Sequence, residues 1–229
     1  MTFGNSFQRT SPVVLNLIII NVLIFFAQSV FGGNSQYNII TDLFALHHYT
    51  SDEFRPHQLI THMFMHGGIF HLIFNMLGLW MFGSTVEKIW GPKRFLIFYF
   101  LCGIVAAITQ LASYTYDFWQ YDHADFSPDM TAQYQELLRR AYTVGASGAL
   151  MGVLAAFGYL FPNTTLFIMP IPVPIKAKWA IMGIIALDVF GGVSRVPGDN
   201  VAHFAHVGGA VAGLLIVLYW NKTNKQTFY

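Results

Sequence analysis

The sequence predicts an all-α membrane protein with six transmembrane helices, and three observations lead to this fold class. Hydrophobic residues make up 55% of the 229 residues and charged residues only 10%, whereas soluble domains carry about 25% charged residues. Apolar runs approaching the roughly 20 residues that cross a bilayer recur along the chain. Basic residues concentrate on alternate connecting segments, which is typical of a multi-pass protein.

Six apolar segments are the candidate spans. They cover residues 13–31, 69–86, 95–112, 147–161, 178–190 and 201–220. The first is longer than the apolar core of a secretory signal and lacks a good cleavage site, so we interpret it as a retained helix. No repeat or linker divides the sequence, so we predict a single transmembrane domain over residues 1–229.

The distribution of charge predicts the orientation. With a cytoplasmic N-terminus, eight of the 12 Lys and Arg residues fall on inner segments and nine of the 11 acids fall in outer loops. We therefore expect both termini in the cytoplasm. The compact sequence favours a prokaryotic plasma membrane, and its few, unclustered basic residues argue against nucleic acid as a partner.

Two outer loops are long enough to hold short helices. In the first, apolar residues at helical spacing predict an amphipathic helix over residues 37–46. In the second, the run Ser127-Pro128-Asp129 combines a cap, a first-position proline and a first-turn acid, which predicts that a helix begins there. Such helices are expected to lie at the membrane interface.

Polar side chains inside three spans predict one functional site. His71 and Asn75 lie on one face of the second span, Ser147 opens the fourth, and His206 lies in the sixth. Each is near the outer start of its span, so all are expected at a similar depth. Ionisable and hydrogen-bonding groups are expensive at membrane depth, which favours a functional role.

Glycines supply a reason for Ser147 and His206 to meet. Gly148 and Gly152 form a small-residue stripe on the fourth span, and Gly209 and Gly213 form another on the sixth. Such stripes allow close approach of two helix backbones. The fourth span would be only roughly 22 Å long, in a hydrocarbon core of about 30 Å, which predicts a depression above the serine.

These motifs together resemble the rhomboid family of intramembrane serine proteases. The motif Gly-x-Ser-Gly occupies residues 145–148, Ala-His-x-x-Gly-x-x-x-Gly occupies 205–213, and His-x-x-x-Asn occupies 71–75. Glu87 and Gly91 also fit the family pattern. The resemblance covers about residues 57–218 and implies a rhomboid-like bundle with a short, central fourth helix.

The resemblance also implies a reaction and a role for each site residue. Ser147 would be the nucleophile and His206 its base, in a dyad that needs no carboxylate, with His71 and Asn75 in the oxyanion hole. The enzyme would hydrolyse peptide bonds in or near transmembrane segments of membrane-protein substrates, without a cofactor or metal. Structural support would come from His66, which holds the first loop, from Glu87, which caps the inner end of the second helix, and from the glycines Gly145, Gly148, Gly209 and Gly213.

Two positions depart from the family pattern. His57-Gln58 stands where a Trp-Arg pair is common, and Met151 stands where some members stack an aromatic ring on the catalytic histidine. The loop segment 117–141 is also longer than in minimal members. Met151 can pack softly on a ring but offers no aromatic face.

Alternatives remain for the residues around the dyad. His203 is a second candidate base, although the glycines three and seven residues after His206 favour His206. Asp188 could orient His206, but its place near the end of its span favours an interfacial acid, so we expect Asp188→Asn to leave cleavage nearly intact. The histidines at 62, 66 and 71 lack the His-Glu-x-x-His pattern of a zinc protease.

A function of another class also fits the family resemblance. A catalytically inactive rhomboid-like protein would use the same polar cleft to bind transmembrane clients without cutting them. The presence of both Ser147 and His206 counts against it, because a binder needs neither a nucleophile nor a base.

Overall fold

A computed structural model describes residues 11–32, 39–122, 127–167, 173–194 and 201–223. It is helical, with two small antiparallel strand pairs, β1 with β2 and β3 with β4. The elements in chain order are α1 (Pro12–Phe31), α2 (Ile39–Phe44), β1 (Leu46–His47), α3 (Gln58–Thr61), α4 (Ile69–Gly78), α5 (Ser84–Trp90), α6 (Pro92–Asp122), α7 (Pro128–Arg140), β2 (Tyr142–Thr143), α8 (Ser147–Leu160), β3 (Thr165–Phe167), β4 (Pro174–Lys176), α9 (Ala177–Ser194) and α10 (His203–Thr223).

The predicted membrane fold is confirmed. Among the described residues, five helices are long and apolar enough to cross a membrane, namely Pro12–Phe31, Ile69–Trp90, Pro92–Trp119, Ala177–Ser194 and His203–Thr223. The second of these joins α4 to α5 through a π-helical turn, Leu79–Gly83. The predicted fourth span is the apolar helix α8, which is short, as expected, at 14 residues.

Helix α8 lies at the centre of the bundle. Its residues from Gly148 to Gly158 are all buried, and α6, α9, α10 and the second membrane helix pack around it. A helix that is apolar on every face is stable only when neighbours surround it. The surrounding helices therefore fix the position of α8 and, with it, that of its first residue, Ser147.

Two helices continue beyond the spans predicted from the sequence. Helix α6 does not end near residue 112 but continues to Asp122. The aromatic residues of this extension are the cause: Phe118 lies 5.8 Å from the His48 ring and 6.1 Å from the Tyr134 ring, so they pack against the loops. The fifth span does not end at residue 190, because α9 continues to Ser194.

The helix start predicted at Ser127 is confirmed. The Ser127 hydroxyl accepts a hydrogen bond from the Met130 amide at 3.5 Å, and α7 begins at Pro128. Along this helix, Leu138 is fully buried while Leu137 is 45% exposed. The predicted helix in the first loop is shorter than expected, Ile39–Phe44, and residues 37 and 38 lie outside the described residues.

The pair His57-Gln58 anchors the first loop. Gln58 is fully buried, and its amide nitrogen donates to the carbonyl oxygens of Asp42 at 3.0 Å and Glu53 at 2.8 Å. Its oxygen accepts from the His47 amide at 3.3 Å. Gln58, one of the two residues that depart from the expected Trp-Arg pattern, therefore anchors this loop.

Glu87 has a different partner from the one expected. Its carboxylate accepts from the Val13 amide at 3.0 Å and the Val14 amide at 2.8 Å. It therefore caps the beginning of α1 rather than the inner end of the second helix, because the first turn of a helix leaves its N–H groups unpaired. A buried carboxylate is stable here because two charge-assisted hydrogen bonds replace water.

Candidate active site

The segment before Ser147 needs a glycine. Gly145 has φ +130°, in the region that side chains disfavour, and its amide donates to the His62 carbonyl at 2.9 Å. A Cβ at this position would lie 2.8 Å from the His71 ring and 3.5 Å from the Ser147 hydroxyl. Gly145 therefore lets the chain pass between these two side chains into α8.

The two glycine stripes meet as the sequence predicts. A Cβ at Gly209 would overlap the Gly148 carbonyl oxygen, and one at Gly213 would lie 2.6 Å from the Gly152 Cα. Helices α8 and α10 therefore touch backbone to backbone over two turns. A Cβ at Gly148 would instead meet Ala106 of α6 at 2.6 Å, so this glycine serves two neighbouring helices.

This close packing brings Ser147 and His206 together. The Ser147 hydroxyl oxygen lies 2.8 Å from His206 Nε2, although 59 residues separate them in the chain. Ser147 is half-buried, and the His206 side chain is 17% exposed. A hydroxyl within hydrogen-bond reach of an imidazole, at a partly open site, has the geometry of an activated nucleophile.

Asp188 joins this pair, which corrects the interpretation as an interfacial acid. One carboxylate oxygen, Oδ1, lies 2.9 Å from His206 Nδ1 and 2.8 Å from His203 Nδ1. The sequence interpretation was wrong because it ended the helix at residue 190. Since α9 continues to Ser194, Asp188 lies inside the helix and is only 8% exposed.

His203 does not compete for the serine in this arrangement. Its ring lies over Gly191 of α9, where a Cβ would be 2.5 Å from His203 Cε1. Its Nδ1 is bound to Asp188. The preference for His206 as the partner of Ser147 agrees with the geometry.

His71 and Asn75 are placed differently. The His71 ring touches the Gly145 segment beside Ser147, and its Nδ1 accepts from the Gly67 amide at 3.4 Å. The Asn75 amide nitrogen donates to the His71 carbonyl at 3.0 Å, along its own helix. Asn75 is 4% exposed. The His71 ring therefore borders Gly145, two residues before the serine, whereas Asn75 makes its hydrogen bond within the helix that the two residues share.

His66 is held by a residue that the sequence analysis missed. Gln28 of α1 accepts from the His66 amide at 3.0 Å and donates to its carbonyl at 3.3 Å. The His66 ring lies 5.1 Å from the His71 ring. Its burial, together with the nearby His71, lowers the pKa of His66 to about 4, so the ring is neutral at pH 7.

Comparison with known proteins agrees with the motifs and the fold. A family model described as the Rhomboid domain matches residues 53–222. The chain belongs to the rhomboid family. Other members of the rhomboid family can therefore be compared with this chain and its site.

Three relatives illustrate the similarity. This rhomboid is 32% identical to Rhomboid protein 1, mitochondrial, of Saccharomyces cerevisiae, over 72% of this chain and 42% of the relative. It is 30% identical to Rhomboid protease GluP of Bacillus subtilis, over 90% of this chain and 34% of the relative. It is 29% identical to Rhomboid protease AarA of Providencia stuartii, over 89% of this chain and 70% of the relative. The chain thus spans less than half the length of the first two.

Met151 of this rhomboid lies in the core of the helix bundle. Met151 is 5% exposed and belongs to the apolar core. Within the described residues, the His206 ring lies beside the His203 ring, with 6.5 Å between their centroids. On the side away from Ser147, His206 Nδ1 donates a hydrogen bond to the Asp188 carboxylate at 2.9 Å.

No metal-binding group is found in the described part of the rhomboid fold. Within those residues, no three or more His, Cys, Asp and Glu side chains are grouped so that they could hold a metal ion. The histidines at 62, 66 and 71 instead have separate contacts. For example, His62 Nδ1 is 2.8 Å from the Gln58 carbonyl oxygen, to which it donates.

Proposed function

We propose that this rhomboid is an intramembrane serine endopeptidase that hydrolyses peptide bonds in or near transmembrane segments of membrane proteins. The observation that carries this proposal is the 2.8 Å distance between the Ser147 hydroxyl and His206 Nε2. Relatives named rhomboid proteases, at 29% and 30% identity, support the same reaction class.

The proposed reaction passes through an acyl-enzyme. His206 Nε2 takes the Ser147 proton as the serine oxygen attacks the peptide carbonyl carbon. The imidazolium then protonates the leaving amine, and the C–N bond breaks. Water repeats the sequence on the ester, returning the proton to Ser147 and releasing the carboxylate product.

The oxyanion would meet donors that lie at the start of α8. The Ser147 backbone N–H belongs to the first turn of the helix, where N–H groups lack intrahelical partners. His71 is the nearest side-chain donor because its ring borders Gly145. An amide nitrogen carries two N–H groups; Asn75 uses one for the His71 carbonyl, and we assign the other to the oxyanion.

The bundle supports a substrate that arrives through the bilayer. Apolar side chains remain exposed along the second membrane helix, including Phe70 at 72% and Phe74 at 68%. These side chains suit lipid or an apolar substrate helix. We propose that the site faces the outer side of a prokaryotic plasma membrane, that both termini are cytoplasmic, and that residues 1–229 form one domain.

Cleavage of a model single-span protein in liposomes tests the function. Wild type is compared with Ser147→Ala and His206→Ala, and with Ser29→Ala, a control in which an exposed hydroxyl bonded within α1 is removed. We expect cleavage by wild type and Ser29→Ala only. Binding of the substrate without cleavage by wild type would instead indicate the catalytically inactive, client-binding function.

A further inference from the structure

We propose that Asp188 is a positioning residue that sets the tautomer of His206 and stabilises its protonated form during catalysis. The catalytic consequence rests on the proposed protease function, but the effect on the imidazole does not. The resemblance to the rhomboid family implied a dyad of one serine and one histidine, and that dyad does not include this carboxylate.

The hydrogen bonds determine the tautomer. A carboxylate only accepts hydrogen bonds, and Asp188 Oδ1 lies 2.9 Å from His206 Nδ1. The proton of neutral His206 is therefore on Nδ1, which leaves the Nε2 lone pair facing the Ser147 hydroxyl at 2.8 Å. That is the only neutral tautomer able to accept the serine proton.

The surroundings strengthen the electrostatic effect. The side chains of Asp188, His203 and His206 are 10%, 16% and 17% exposed. Water screens charges little at such a site, so a carboxylate in contact with the ring favours the imidazolium that forms when the serine loses its proton. His203 provides the second donor that a largely buried carboxylate requires.

The packing of α9 on α10 holds this network in place. Gly191 leaves room for the His203 ring, and a Cβ at Gly192 would lie 3.1 Å from the Phe204 ring. The end of α9 therefore receives two aromatic side chains of α10 directly beside Asp188. The carboxylate and the base belong to different helices, so this contact controls their distance.

A purely structural role of Asp188 gives a different expectation. If Asp188 served only to hold α9 against α10, loss of His203 and loss of the carboxylate would weaken the same helix contact. Both changes would then lower turnover to a similar extent. In the proposed role, His203→Ala leaves the bond between Asp188 and His206 intact. Loss of His203 should then reduce turnover far less than loss of the carboxylate.

The test combines a spectroscopic signature with kinetics. Histidine-labelled wild type, Asp188→Asn, His203→Ala and the exposed-acid control Asp129→Asn are compared by ¹⁵N and ¹H NMR. We expect wild type to show a low-field Nδ1–H proton on His206 and Asp188→Asn to lose it. We expect kcat to fall on the order of 10²-fold in Asp188→Asn, with KM within about twofold, and less than about fivefold in His203→Ala.

Each outcome is decisive. An unchanged His206 tautomer in Asp188→Asn overturns the proposal, as does an equal loss of turnover in Asp188→Asn and His203→Ala. If wild type cleaves nothing but Asp188→Asn still loses the Nδ1–H signal, the positioning of His206 stands and the protease function fails.

Discussion

Helix α10 meets α8 and α9 at glycines, and these two contacts differ in kind. Toward α8, Gly209 and Gly213 bring backbone against backbone. Toward α9, the glycines belong to the neighbour, and Gly191 receives the ring of His203. The α8 contact sets the distance from Ser147 to His206, whereas the α9 contact supplies a carboxylate to the far side of the same imidazole.

The difference explains which part of the site was predictable. Glycines four residues apart on two helices form matching stripes, and this periodicity is visible in the sequence. Gly191 and Gly192 are adjacent and match no stripe on α10. Their use depends on where the rings of α10 point, which only the packed helices determine.

The largest effect on cleavage and stability is expected for Gly209→Val, at the contact between α10 and α8. Its Cβ would overlap the Gly148 carbonyl oxygen, and backbone cannot move aside as a flexible side chain can. We expect complete loss of cleavage and a destabilisation of about 3 kcal/mol or more, measured by thermal unfolding in detergent. Gly183→Ala is the control for an added Cβ, because no atom of the described residues lies within 4 Å of that position; similar losses in both variants would contradict the assignment.

Acid should destabilise the loop formed by residues 58–66, which contacts the segment leading into α8. Burial lowers the pKa of His62 and of His66 to about 4 from 6.5. The unfolded loop therefore binds protons between pH 6.5 and 4 while the folded loop does not, so its stability is full above pH 6.5 and declines as the pH falls to about 4.

Each histidine should destabilise the folded loop by about 2 kcal/mol at pH 5. Because the His62 carbonyl holds the Gly145 amide, the opening should reach the segment before Ser147. Hydrogen exchange of residues 58–66 should accelerate from pH 7 to pH 5 after correction for intrinsic rates. Equal protection at the two values would argue against this coupling.

On the α9 side, Gly191→Ala should have a milder effect. The new methyl would lie 2.5 Å from the His203 ring, which is a side chain and can rotate. We expect the fold to persist and turnover to fall by less than about fivefold, because the ring shift disturbs only the hydrogen bond between His203 and Asp188. Thermal unfolding and kcat measured on the same sample check this; a loss as severe as that of Gly209→Val would erase the distinction between the two contacts.

The smallest effect is expected at the ion pair that joins α7 to the first long loop. Arg139 binds Asp42 and lies 3.7 Å from Glu53, and the hydrogen bond to Asp42 raises the pKa of Arg139. Arg139→Gln should lower stability by no more than about 1 kcal/mol, since the pair is partly exposed. Limited proteolysis of the loop at low and high salt measures it. A large effect that is independent of salt would be inconsistent with a surface pair.

Other contacts were invisible in the sequence for the same reason as Gly191. The links from Gln28 to His66 and from Glu87 to Val13 and Val14 join segments with no shared period. By contrast, the spans, the short α8 and the pairing of Ser147 with His206 follow from hydropathy and from regular glycine spacing. The missing information is three-dimensional, because a side chain bound to a distant backbone amide leaves no repeating pattern.

The pairing of Ser147 with His206 is tested most directly by the reactivity of the Ser147 hydroxyl. Purified wild type and His206→Ala are treated with a fluorophosphonate, and the labelled site and its rate are determined by mass spectrometry. The 2.8 Å contact predicts modification at Ser147 in wild type, and loss of that modification in His206→Ala. Equal labelling of Ser147 in both proteins, or no labelling of Ser147 in wild type, would contradict its activation by His206.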